Sequence, residues 1–152
     1  MVEVNSARRI TDLLFNYWNE ARGERLFPGR ENIDDSALQE MGIWEDIFFV
    51  NVLPQANANK YSFSYTGKNL GKELSANSKE GAIQAMLIQV LEKAGDRYDM
   101  VAEYKRPVQN DAIFRAKETE GVVKYRQILL PLGPDDEGEV TAIIGGMRYI
   151  KA

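Results

Sequence analysis

Histidine and cysteine are both absent from the 152 residues of this chain. Without cysteine there is no disulfide, no thiolate nucleophile, no Cys-ligated zinc or iron–sulfur centre and no covalent thiol attachment of a chromophore. Without histidine there is no His-ligated haem, no His-based triad and no imidazole general base near neutral pH. Positive charge is not in excess either: the net charge is −4 and the pI near 5.0. That argues against a broad phosphate-binding surface, and the basic residues are scattered among acids, so no nucleic-acid partner is expected. No apolar run approaches the roughly 18 residues of a membrane span. The amino terminus lacks the basic start, apolar run and small-residue cleavage site of a secretory leader, which makes a cytoplasmic location the default expectation.

What remains is ordinary globular material, 44% hydrophobic and 28% charged, enough to bury a core as one domain over 1–152 without a disulfide or metal. Residues 6–22 carry Ile10, Leu13, Leu14, Tyr17, Trp18 and Ala21 at spacings of three and four. This predicts an amphipathic amino-terminal helix flanking the domain, with Ser6 as N-cap and Gly23 as stop. Its stripe serves the helix's own core first and overlaps with docking onto a second copy, for which Leu14, Tyr17 and Trp18 are the expected contact residues. After a Gly- and Pro-bearing connector, Asp34 or Asp35, with Ser36 also competent, caps a short helix that Gly42 ends.

The strand signals follow. IWEDIFFVNVL predicts a strand near 44–53 that Pro54 terminates, and YSFSYTG alternates cleanly over 60–66 to complete a hairpin. Residues 78–93 have helical periodicity, and 97–105 form a second short helix before Pro107. Strands are then predicted near 110–118, 122–132 and 139–150, the last two joined by the polar turn GPDDEG. The order gives an α+β domain: a five-stranded antiparallel sheet with helices on one face plus the amino-terminal helix. Gly145 and Gly146 interrupt the last strand and are read first as a bulge, with room for a ligand or a helix as the second reading.

In this order the sequence resembles a PAS domain, and in detail the small single-domain PAS-like family of alphaproteobacteria. The resemblance is carried by YWNEARGERLFPGRENID, IFFVNV, YSFSYTGKNLGKEL and RQILLPLGPDDEGEVTAIIGG, which together cover most of the chain. It implies a sheet and helical flank enclosing a small core cavity, used in signal transduction to sense a small ligand or to contact proteins. The partners it implies are a second copy of the chain, as a homodimer, and another signalling protein. PAS domains that hold haem ligate it through His, and those with a photochemical flavin form an adduct to Cys. Neither cofactor is expected here, and a noncovalent ligand stays open with its identity unknown.

The expected ligand-lining residues are Tyr98, Phe114, Tyr125, Gln127 and Gly145. Gln127 is the informative member, because an amide in an apolar strand needs partners once buried, whereas on an exposed face it needs none. The adjacent carboxylates Glu45 and Asp46, Asp34 and Asp35, and Asp135 and Asp136 lie on a strand or in turns, and none is arranged for general acid–base work. No catalytic residue and no metal ligand is assigned. The competing function class is a small α+β hydrolase or isomerase using carboxylates brought together by folding.

Overall fold

The computed structural model describes residues 6–52, 61–70, 95–115, 122–134 and 138–150. The expected helix over 78–93, the loop after Pro54, the strand end at 116–118 and the Asp135–Asp136 turn lie outside the described residues. In chain order the elements are α1 (Ser6–Arg22), a 3₁₀ turn (Arg30–Asn32), α2 (Asp35–Glu40), a second 3₁₀ turn (Trp44–Asp46), β1 (Ile47–Val52), β2 (Tyr61–Thr66), α3 (Gly95–Tyr104), β3 (Val108–Arg115), β4 (Val122–Leu132) and β5 (Ala142–Ile150).

The strands form one antiparallel sheet in the order β2-β1-β5-β4-β3. The first hairpin and the carboxy-terminal meander therefore meet through β1 and β5, where Ile47 pairs with Gly146 and Asn51 with Ala142. Residues opposite one another across a ladder share a face. On one face, called outer here, stand Ile47, Phe49, Ile144, Gly146, Ile128 and Leu130. On the inner face stand Phe48, Val50, Ile143, Gly145, Met147, Gln127 and Leu129. Both faces are covered, which is why the run Ile47–Val50 is apolar throughout and buried at all four positions.

Residues 6–46 cover the outer face. Ile10, Leu14 and Trp18, four apart on α1, are buried, and α1 packs on β4 and β5. Burial of each such side chain stabilises the fold by about 1.5–3 kcal/mol. The Trp18 indole donates to the Pro131 carbonyl at 2.9 Å. β3 pairs with β4 only as far as Leu129, so Pro131 sits beyond its reach, where a missing N–H costs no ladder bond. Gly23 (φ 58) and Gly42 (φ 77) close α1 and α2 in the left-handed region, as their expected stop roles require. Asp34 caps α2 by accepting from the Ser36 N–H at 3.0 Å, while its own N–H donates to the Tyr17 hydroxyl at 2.7 Å. Over the other half of this face Trp44 stacks on Tyr65 at 4.4 Å between centroids, and Arg30 lies 4.0 Å over the Phe49 ring.

The inner face is reached by α3, which packs on β3 and β4. Gln109 is exposed while Val108 and Asn110 are half-buried, so the covered side of β3 is the one bearing Val108 and Asn110. Tyr98 and Val101 of α3 are buried.

Three expectations need correction. β1 begins at Ile47 rather than near 44, because Trp44–Asp46 close a 3₁₀ turn with the Asp46 N–H on the Ile43 carbonyl at 2.9 Å. Gly145 and Gly146 form no bulge, since β5 runs in continuous register through both. The irregularity lies instead between Phe49 and Val50, where β1 meets β2. Leu14 and Trp18, assigned to a contact with a second copy, are spent inside this chain's own core, and Asp12, Asn16, Asn19 and Glu20 of α1 are exposed. Tyr17 is half-buried with its hydroxyl engaged by Asp34.

Candidate ligand-binding site

The inner face divides into a filled half and a polar half. In the filled half Gly145 lies opposite Phe48, and a Cβ added at Gly145 would clash with the outer edge of the Phe48 ring, at Cζ and both Cε atoms. Phe48 in turn meets Phe63 edge-on, 5.7 Å between centroids. The glycine makes room, but for an aromatic ring of this chain. Gly146 does the same on the outer face, where an added Cβ would come 2.9 Å from Leu14 Cδ2 and 3.1 Å from Ile10 Cγ1. Of the second reading of the pair given above, room for a helix applies to Gly146, while Gly145 admits a ring of the sheet itself.

In the polar half Gln127 pairs with Asn110 across β3 and β4 and with Met147 across β4 and β5. Gln127 is 0% exposed. Its Nε2 donates to Asn110 Oδ1 at 3.1 Å. That bond leaves two buried atoms, Gln127 Oε1 and Asn110 Nδ2, with no hydrogen-bond partner among the described residues. A buried amide group left unmatched costs about 1–3 kcal/mol, and native folds retain few of them. Leu129, Met147 and Ile143, all buried, form the apolar surround on the sheet.

Of the residues expected to line a site, Tyr98 and Gln127 are buried, on α3 and on the inner face of β4 respectively, and Gly145 lies under Phe48. Phe114 and Tyr125 are placed by backbone register, at positions of the same parity as Asn110 and Gln127. Asn110 was missed by sequence reasoning. Its signal is the strand register: once Gln127 is assigned to the buried face, the polar residue opposite it becomes its partner, and that residue cannot be identified before the pairing is known.

A second polar cluster ties the sheet to its turns. Asp46, 6% exposed, accepts from Arg148 Nε and Nη2, each at 2.8 Å, on one carboxylate oxygen and from Asn69 Nδ2 at 2.9 Å on the other. Glu45 accepts from the Tyr65 hydroxyl at 3.0 Å and the Lys68 N–H at 2.9 Å. Burial, then the bond to the Glu45 carboxylate and its charge, pushes the Tyr65 phenol up to about 12. Gly67 packs directly on the Glu45 backbone, which leaves no space for a side chain. The adjacent acids 45 and 46 are therefore anchors of a turn and not strand residues. An open depression near Arg30, Ile33 and Asp35 is closed across by the Arg30–Asp35 ion pair at 3.0 Å. Among the described residues no group of three or more acidic side chains could hold a metal ion, and no helix is long and apolar enough to cross a membrane.

The comparisons agree with this architecture. A family model described as PAS domain matches residues 6–148. Among solved structures, a light-oxygen-voltage domain studied with a flavin analogue is 13% identical, with a TM-score of 0.52 over 76% of this chain and 83% of that one. The Rhodobacter sphaeroides LOV protein is 14% identical, with a TM-score of 0.49 over 78% and 69%. A PAS domain from Colwellia psychrerythraea is 13% identical, with a TM-score of 0.47 over 77% and 98%. No match was found among curated proteins. With the family model spanning the sheet and the helices on both its faces, the chain belongs to the PAS domain family.

Proposed function

We propose that this PAS sensory and regulatory module takes a small, noncovalently held ligand against the inner face of its sheet. The observation that carries the reading is the Asn110–Gln127 pair, whose two remaining polar atoms are buried and satisfied by no group among the described residues. A ligand bonding to both removes a desolvation penalty that the two unmatched atoms otherwise carry, which is a source of affinity specific to that spot. Leu129, Met147 and Tyr98 supply apolar wall. Phe114 and Tyr125, on the same two strands as the pair, remain proposed lining residues. Gly145 leaves the set, because Phe48 occupies the space above it.

Self-association and contact with another signalling protein belong to the same proposal, as does a cytoplasmic setting. Met100 and Tyr104 on α3, and Leu26 in the connector after α1, are the exposed large apolar residues among those described and are offered as contact residues. No observation favours a carboxylate-based hydrolase or isomerase. Glu45 and Asp46 are engaged in holding a turn, and Asp34 caps α2.

Native mass spectrometry of gently purified protein tests the ligand directly. A bound mass retained in the folded ion and released on denaturation is the expected result. Folded protein of bare chain mass, from several expression hosts, would remove the ligand and leave an interaction module.

A further inference from the structure

Resting on the self-association proposed above, we infer that two copies of the chain pair edge to edge through β3, antiparallel about a twofold axis at Ile113. Among the described residues β2 and β3 are the terminal strands of the sheet, and a terminal strand presents a row of backbone N–H and C=O groups to whatever lies beyond it. The two edges are not alike. β2 skips a residue against β1: Phe49 faces Tyr65 and Val50 faces Phe63, which leaves Ser64 as the extra residue of a bulge. A bulge twists an edge strand and disturbs the spacing a further strand would need. β3 has no such interruption, since Val108–Arg115 run against β4 in continuous register.

The occupant follows from the order of charges along β3. A closed pair of identical chains has a twofold axis, and one normal to the sheet sets the two strands antiparallel. Centred on Ile113, it places Asp111 opposite Arg115 of the partner subunit and Arg115 opposite the partner's Asp111. Residues directly opposite in an antiparallel pair share a face with Cα atoms about 4.5–5.5 Å apart, so two pairs of opposite charge form at once. Centring on Asp111 would set like carboxylates against each other. Centring on Ala112, or half a residue to either side of it, sets both charges against uncharged residues. Charge on an edge strand ordinarily discourages pairing; here the two signs are spaced so that the strand matches itself. The helix that leads into β3 brings apolar surface to the same half of the sheet: α3 packs on β3 and β4, and its Met100 and Tyr104 are exposed. They are available to enlarge a contact that a strand edge alone would leave small.

The test uses the full chain in two independent arms. In the first, sedimentation equilibrium compares the parent with Asp111→Arg, Arg115→Asp, the double variant and a one-to-one mixture of the two single variants. Each single variant turns both attractive pairs into repulsive ones and should weaken the dimer about tenfold or more. The double variant restores attraction with the signs exchanged, and the mixture restores it in a mixed dimer, so both should recover the parent's association. In the second arm, the absence of cysteine from the chain lets one introduced thiol report the register. Ile113→Cys places two thiols at the axis, within disulfide reach, and should give a covalent dimer on oxidation with diamide. Gln109→Cys places them about eight residues apart along the strands, roughly 27 Å, and should not.

A parent dimer that the single charge variants leave intact, or a double variant as weak as the singles, overturns the inference. So does cross-linking at 109 as efficient as at 113. The cross-linking arm needs no charge variant, so unfolding of one of those leaves the test in force. The two readings fail separately: a parent that dimerises without either signature keeps self-association and loses the β3 edge, whereas a parent that stays monomeric at rising concentration, with no cross-link through Ile113→Cys, ends both.

Discussion

Gly145 and Tyr65 show how much a single position can be asked to do in this sheet. Gly145 lies under the Phe48 ring, so Gly145→Ala forces that ring off its site at a cost of about 1–3 kcal/mol. Trimming the ring first relieves the clash. In a double-mutant cycle with Phe48→Leu, the combined loss measured by chemical denaturation should fall short of the two single losses by on the order of 1 kcal/mol. Strict additivity would mean that the ring does not occupy the glycine's space. Tyr65 makes a prediction in pH. Its phenol is raised from 10.0 to about 12, so between those values the folded chain holds a proton that the unfolded chain releases. Stability from this group is therefore complete below pH 10 and falls as pH rises through that window. Ultraviolet titration at the tyrosinate band should show Tyr65 ionising late, as a late component of the parent curve that Tyr65→Phe removes while flattening the loss of stability. At this scale the sequence was least legible. Gln127 stood out as an amide in an apolar strand, but the partner that makes it a site, Asn110, is seventeen residues away and is identified only by register.

Among the elements, α1 was the most legible and its use the least. The spacing of Ile10, Leu14 and Trp18 fixes a helix with one apolar stripe, yet nothing in a stripe says whether it faces its own sheet or another copy. The sheet decides: Gly146 lets α1 approach, and Trp18 bonds the Pro131 carbonyl. Leu14→Ala should therefore destabilise the protein by about 2–5 kcal/mol, with no dependence of the loss on protein concentration. Deleting residues 1–22 should leave a chain with collapsed amide dispersion in NMR. A truncated form that stays folded but shifts from dimer to monomer in sedimentation would return α1 to the role of a dimer contact. The 3₁₀ turn at Trp44–Asp46 was read as strand because Ile43 and Trp44 fit the apolar pattern. The turn exists because Glu45 and Asp46 collect bonds from Tyr65, Lys68, Asn69 and Arg148, partners too distant in sequence for local propensity to foresee.

For the whole molecule, strand number, order along the chain and antiparallel sense were legible, since alternation and turn residues encode them directly. The division of labour between the two faces was not, because it arises from long-range pairing. The outer face is closed by residues 6–46 through packing, a ring stack and an ion pair. The inner face carries the one polar pair whose needs the described protein leaves unmet, and the central claim is that this pair serves a ligand and not the fold. The most direct test is the equilibrium unfolding in denaturant of ligand-free Asn110→Leu/Gln127→Met against the unsubstituted chain. Replacing both members of an under-satisfied buried pair by apolar groups of similar size removes an uncompensated desolvation cost, so the double variant should match or exceed the parent in stability. A loss of about 2 kcal/mol or more would contradict the account, because the pair would then be holding β3 to β4.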